Sequence, residues 1–172
     1  MGNSAIRAAD AVTKRQDAVT GGGGQKAGPP KLPSCAMEAS AKDCIFLEGA
    51  LSKLLIFNSM DNQSQRMLVQ NMYKRHVTAG EILIDQGSTG LAATQLYVIE
   101  SGSFEILQKR QGYTVRVNLD DPGRCLGEIS LYYDWARNAA IVAKSRAVVW
   151  VLDRYVFRSI IQKTRMASLP SP

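Results

Sequence analysis

The sequence has little of the chemistry that most enzymes and metalloproteins use. Its 172 residues include one histidine, His76, which we interpret as a surface or strand-edge residue. The three cysteines, at positions 35, 44 and 125, have neither disulfide nor zinc spacing, so no metal site is expected. We find no Ser-His-Asp or Cys-His arrangement and no protein-kinase signature. The chain is therefore expected to be a binding module and not an enzyme, with no cofactor.

Long apolar runs are also missing from the sequence. No stretch reaches membrane-spanning length, and no hydrophobic signal peptide begins the chain. Cysteines without a pairing pattern fit a reducing compartment. We therefore expect a cytoplasmic protein.

Residues 1–40 have no apolar period and predict a flexible, basic tail rich in glycine and proline. A solvated tail is the simpler interpretation of this segment. The alternative is myristoylation of Gly2 with reversible, membrane-associated contact, although Ile6 stands where the motif prefers Ser or Thr. The basic residues are scattered and have no aromatic residues between them, so nucleic-acid binding is not expected.

Residues 41–168 predict one domain, with 169–172 as a short C-terminal tail. From 81 to 153, short strands of period two alternate with glycines, which is typical of a β-sandwich or jelly-roll barrel. Lys109-Arg110-Gln111-Gly112 is predicted to be a hairpin loop. The apolar run 148–152 is predicted to be a buried strand.

The segment before these strands has a helical period. Its apolar residues predict helices over 43–57 and 62–73, with a break near Asn58-Ser59 and with Asp61 as the N-cap of the second helix. The predicted fold is therefore mainly β with flanking α: a β jelly-roll barrel with N-terminal helices and a C-terminal helix.

The most informative motif is Gly127-Glu128-Ile129-Ser130-Leu131-Tyr132, followed after four residues by Arg137-Asn138-Ala139-Ala140. A helical turn that starts at Glu128 would leave backbone N–H groups available to an anion. Arg137 carries a planar fork that matches phosphate oxygens, and Glu128 is a pure acceptor suited to a sugar hydroxyl. The pattern predicts a pocket for a phosphate beside a ribose. An ordinary ion pair between the two charged side chains is the simpler alternative.

In these residues the chain resembles the cyclic-nucleotide-binding domain, most closely its form in the regulatory parts of cAMP- and cGMP-dependent protein kinases. The phosphate-binding cassette of that family aligns with 126–141 without a gap, and the resemblance extends over roughly 43–164. Three positions depart from the pattern: Ala136 replaces a usual proline, Trp135 precedes it, and Asn138 follows the arginine. Trp135 and Tyr133 could pack on the barrel rim or contact a base.

The resemblance implies a role for each residue of the motif. The phosphate would be bound by Arg137, Ile129, Ser130 and Asn138, and the ribose by Glu128 and Gly127. Asn138 would also govern base selectivity. The family often has Ala at this position in cAMP binders and Thr in cGMP binders, and the amide oxygen of Asn138 can accept a bond from the guanine amino group. This favours cGMP slightly over cAMP.

The resemblance also implies an allosteric regulatory module that controls a protein kinase catalytic domain in cis or in trans. The helices 43–57, 62–73 and 153–164 would transmit ligand binding. Pro170 and Pro172 forbid a helix past about Ser168, so the ligand's base would lack the helical lid of strongly responding relatives unless the sequence is a fragment. A degenerate domain that serves as a protein-interaction or membrane-tethered adaptor is the alternative function.

Overall fold

A computed structural model describes residues 39–167. The predictions for the basic tail, for Gly2 and for the last residues of the chain lie outside this range. The described helices and strands follow one another along the chain, with two short 3₁₀ turns at Gly90–Ala93 and Glu128–Leu131: α1 (Ala41–Leu51), α2 (Leu55–Asn58), α3 (Asn62–Gln70), β1 (Tyr73–Val77), β2 (Ile82–Ile84), β3 (Gln95–Ser101), β4 (Phe104–Arg110), β5 (Tyr113–Leu119), β6 (Cys125–Leu126), β7 (Ala140–Ala143), β8 (Ala147–Asp153) and α4 (Arg154–Ala167).

The eight strands form two four-stranded antiparallel sheets. One sheet has the order β1-β8-β3-β6 and the other the order β2-β7-β4-β5. Apolar side chains from both sheets share one core, which includes Phe104, Val149 and Val151. The predicted mainly β architecture, with helices before and after the strands along the chain, is confirmed.

Strand β8 explains how the helices attach to the sheets. Val149 and Val151 face the other sheet, whereas Trp150 and Leu152 belong to a second core that packs against α1, α3 and α4. Successive strand side chains point to opposite faces, and here both faces are covered. The prediction of a buried strand over 148–152 is confirmed, because 149–152 are fully buried.

The N-terminal helices differ from the prediction in two respects. The second helix ends at Gln70 and not at 73, because Tyr73 already belongs to β1. The segment 43–57 is not one helix, because Leu54 has an extended backbone that separates α1 from α2. Leu51 and Phe57 are both buried in the helical core, and the break allows both to reach it. The predicted cap is confirmed: the side chain of Asp61 accepts a hydrogen bond from the Ser64 amide at 2.9 Å.

The β4–β5 hairpin has a shorter loop than predicted. Lys109 and Arg110 continue β4 and pair with Thr114 and Tyr113, so the loop is not 109–112 but Gln111-Gly112. Gly112 has a φ of 82°, which glycine adopts without strain.

Within residues 39–167, no helix is both long and apolar enough to cross a bilayer. In the same residues, no cluster of three or more His, Cys, Asp or Glu side chains could hold a metal ion.

Candidate functional site

A cavity of about 290 Å³ opens beside the second 3₁₀ turn. All six residues that the sequence assigned to a ligand line it: Gly127, Glu128, Ile129, Ser130, Arg137 and Asn138. Its apolar lining includes Ile84, Ile106 and Ile141 from three strands of the second sheet. The cavity therefore offers both polar and apolar groups to a ligand.

Gly127 is required at the start of the turn for two reasons. Its φ of 79° lies in the left-handed region, which strains other residues. A Cβ atom at this position would also lie 2.1 Å from Nη1 of Arg137. Gly127 thus allows the guanidinium to pass directly against the backbone.

The predicted turn at Glu128 forms, as a 3₁₀ turn over Glu128–Leu131. Ser130 closes it, since its amide and its hydroxyl both donate to the Gly127 carbonyl, at 3.2 and 2.6 Å. Glu128 is half-buried and Ile129 is exposed. The phosphate contacts of Ser130 and Ile129 remain predictions.

Arg137 is a buried cation without a carboxylate partner. Its side chain is 9% exposed, and none of the ion pairs within residues 39–167 involves it. Nη1 donates to the Gly127 carbonyl at 3.1 Å and Nη2 to the Gln95 carbonyl at 2.6 Å, whereas the buried Nε has no partner. The alternative of an ordinary Glu128–Arg137 ion pair is therefore wrong.

Burial lowers the pKa of Arg137, because the charged form loses its hydration. The positive charge of Arg154 also lowers the Arg137 pKa. An arginine guanidinium nevertheless stays protonated in folded proteins. The site therefore holds a positive charge that an anion would stabilise.

The backbone around Arg137 is fixed by the loop between β2 and β3. Its amide donates to the Ser88 carbonyl at 3.0 Å, and its carbonyl accepts from the Gly87 amide at 2.8 Å. The side chain of Asp134 accepts from the Gly90 amide at 3.2 Å. These bonds hold the segment 132–139 between the turn and β7, here called the return loop, although Ala136 replaces the usual proline.

Arg154, the first residue of α4, was not identified from the sequence as a site residue. It is 5% exposed, and its Nη2 donates to the carbonyls of Ala93 and Tyr133, each at 3.0 Å. Nε donates to the Ser130 carbonyl, and Nη1 lies 3.3 Å from Asp134. This one side chain joins α4 to the turn and to the loop behind it. The signal in the sequence is a cation two residues after the last apolar residue of β8.

Tyr133 and Trp135 form an exposed aromatic pair. Their rings are stacked with centroids 4.8 Å apart and planes 19° apart, and the Trp135 side chain lines the cavity. The neighbouring Tyr132 packs edge-on against Phe157 of α4 at 5.1 Å.

Cys125 also lines the cavity, but its chemistry is unreactive. Burial raises the pKa of its thiol to about 11, so the thiolate is scarce at neutral pH. The thiol lies 3.6 Å from the Ala50 carbonyl. The Cys125 side chain therefore acts as a small apolar group of the cavity lining.

Replacement of Arg154 should lower the free energy of unfolding more than replacement of a surface arginine on the same helix. Arg154→Ala leaves buried carbonyls at Ser130 and Ala93 without donors, and we expect a loss of about 3 kcal/mol in the free energy of unfolding. Arg158→Ala removes one exposed bond to the Tyr132 carbonyl and should cost below about 1 kcal/mol. Urea unfolding of both variants measures the difference, and equal losses would contradict the role of Arg154.

Comparison with known proteins agrees with this geometry. The chain is 32% identical over 115 residues to the cAMP-dependent protein kinase regulatory subunit of Eremothecium gossypii. This alignment covers 67% of this chain and 24% of that protein. It is 33% identical over 122 residues to the corresponding subunit of Yarrowia lipolytica, in an alignment that covers 71% of this chain and 31% of that protein. The chain thus spans about a quarter to a third of the length of these curated relatives.

Solved structures with the same fold include cAMP-bound PfPKA-R, with a TM-score of 0.63 and 25% identity over 77% of this chain and 48% of that one. The regulatory domain of Toxoplasma gondii PKA, co-crystallised with cAMP, gives a TM-score of 0.62 and 26% identity over 76% and 49%. The family model for the cyclic nucleotide-binding domain matches residues 74–164. The chain therefore belongs to the cyclic nucleotide-binding domain family.

Proposed function

We propose that the cavity binds a 3′,5′-cyclic nucleotide and that binding regulates a protein kinase catalytic domain, in cis or in trans. The observation that carries the proposal is the state of Arg137. This guanidinium is buried against a cavity, has no carboxylate partner and keeps one buried N–H without an acceptor. Its charge and its hydrogen-bonding capacity call for an anionic ligand.

The energetics of the site support a phosphate in particular. Removing an arginine from water costs several kcal/mol, and carbonyl dipoles offset this only in part. A bound phosphate monoanion would neutralise Arg137, and the nearby charge of Arg154 would add to the attraction. The first amides of the short turn at Gly127-Glu128 have no partner within the turn and would be available to the same anion.

The remaining walls of the cavity suit the other parts of the ligand. The carboxylate of Glu128 can accept a hydrogen bond from the ribose 2′-hydroxyl. The three isoleucines that line the cavity offer apolar contact to a sugar or a base. The volume of about 290 Å³ is near the lower end of the range for small-molecule sites.

The contacts between the turn and α4 support regulation through this helix. Arg154 and Arg158 of α4 donate to the carbonyls of Ser130 and Tyr132, and Phe157 packs on the Tyr132 ring. Phe157 also touches Phe57 of α2 in the helical core. A ligand that draws the turn inward would therefore bias the position of α4 and the N-terminal helices. The partner follows from the relatives, which are kinase regulatory subunits.

The identity of the base rests on two observations that favour different nucleotides. The relatives named above are regulatory subunits of cAMP-dependent kinases, and two of the similar structures contain cAMP. Asn138, exposed on the cavity wall, could instead accept a bond from guanine. We propose cAMP as the ligand and expect Asn138 to admit cGMP as a competitor.

Direct titration of the full chain with fluorescent cAMP and cGMP tests the function. Saturable binding that unlabelled nucleotide displaces is the expected result. Absence of binding by both nucleotides would favour the degenerate interaction module instead.

The Arg137→Ala variant should lose about 2 to 5 kcal/mol of cyclic-nucleotide binding free energy, because a desolvated phosphate loses its charged donor. Arg137→Lys should recover only part of this, since a point charge cannot replace the planar fork. Calorimetric titration measures the loss, and Arg116→Ala on the exposed face of β5 is the control. Wild-type affinity in the alanine variant would refute the phosphate site.

Glu128→Gln should weaken binding by about 1 kcal/mol, less than the arginine change, because a neutral acceptor remains. A 2′-deoxy cyclic nucleotide checks the mechanism: the wild type should bind it poorly, and the variant should discriminate less between the two sugars. Glu48→Gln on the exposed side of α1 is the matched control. Equal wild-type affinity for both sugars would exclude Glu128 as the ribose contact.

Asn138→Ala should shift the ratio of cGMP to cAMP affinity towards cAMP by about fivefold, the worth of one hydrogen bond. Competition of the two nucleotides for a fluorescent probe measures this ratio. Asn118→Ala, on an exposed part of β5, should leave it unchanged. A ratio that is the same in the wild type and in Asn138→Ala would show that selectivity comes from other residues.

A further inference from the structure

The side chain of Trp135 lines the nucleotide cavity and yet is 65% exposed. An exposed indole leaves a large apolar surface in water, although buried aromatic side chains contribute strongly to stability. Trp135 belongs to neither of the two hydrophobic cores. An exposed aromatic side chain at the edge of a ligand cavity therefore needs an explanation of its own.

Tyr133 holds the indole in place. The two rings stack at 4.8 Å and 19°, which covers one face of the indole. The Tyr133 backbone is itself fixed, since its carbonyl accepts from Arg154 and its amide donates to the Ile129 carbonyl at 3.0 Å. A restrained ring loses little conformational entropy when a second flat group stacks on it.

The position of Trp135 along the chain selects the part of the ligand that it would meet. Trp135 lies two residues before Arg137, on the return loop that Gly87, Ser88 and Gly90 anchor. Arg137, Glu128 and the turn supply polar groups to the cavity. Trp135 supplies the aromatic ring of the lining, and with the apolar isoleucines it is left for the base.

We propose that Trp135 stacks on the purine base of the bound nucleotide, so that this module supplies the aromatic cover of its own ligand. The inference rests on the proposed function. A base on an aromatic side chain gains about 1 to 3 kcal/mol, and every purine has a face that can take part. Trp135 would therefore raise affinity and prolong binding without choosing between adenine and guanine.

Base-dependent binding tests this proposal. We would compare cAMP with a ribose 3′,5′-cyclic phosphate that lacks a base, using the full chain. Trp135→Ala should weaken cAMP binding about tenfold, mainly through faster dissociation, and should leave the affinity for the base-free ligand unchanged. Trp135→Phe should retain most of the affinity. Tyr155→Ala, an exposed aromatic residue that does not line the cavity, is the matched control.

Fluorescence gives a second measurement. The chain has two tryptophans, and Trp150 is fully buried with its indole N–H on Glu100 at 2.6 Å. Emission from an indole in water should thus come from Trp135, and cAMP should quench it in the wild type but not in Trp135→Phe. Unfolding curves of both variants should match the wild type, since the side chain is exposed.

The outcomes separate this inference from the function on which it rests. Binding that depends on Arg137 but is unchanged in Trp135→Ala would overturn the stacking role alone. The Tyr133–Trp135 pair would then be assigned to contact with a protein partner. An equal loss for the base-free ligand would also overturn the stacking role, because the indole would then support the loop and not the base. Absence of nucleotide binding in the wild type would overturn both.

Discussion

The site depends on one buried guanidinium. Arg137 reaches the cavity because Gly127 has no side chain, and it is held there by the carbonyls of Gly127 and Gln95. Carbonyl dipoles orient the group but leave its charge uncompensated. The left-handed glycine and the anchored return loop both serve to place this charge at the cavity.

The junction of β8 and α4 connects this charge to the rest of the fold. Strand β8 is buried on both faces, so its end is fixed by both cores. Arg154 follows it directly and bonds to the turn, to the return loop and to the loop before β3. Arg154 therefore connects the site to α4. A displacement of either would be transmitted to the other through these hydrogen bonds and the Tyr132–Phe157 contact.

Features that depend on neighbouring residues were predicted better than features that depend on contacts between distant residues. The strands, the Asp61 cap and the Gly127–Arg137 motif were predictable, because period-two alternation, capping and short spacings are encoded within a few residues. The break at Leu54 was not, since it depends on Leu51 and Phe57 both reaching a core that other elements complete. Gln95 contributes to the site through its backbone carbonyl, which no side-chain pattern reveals.

Reciprocity sets the limits of regulation in such an arrangement. A ligand can move α4 only by as much as it binds one arrangement of the turn better than the other. Any partner that displaces α4 must break the Arg154 bonds to Ser130 and Tyr133, and it thereby weakens the turn that surrounds the cavity. Thermodynamic linkage requires the two effects to be equal in free energy. A partner that holds α4 away from the turn would therefore lower nucleotide affinity by the same factor by which the nucleotide lowers affinity for that partner.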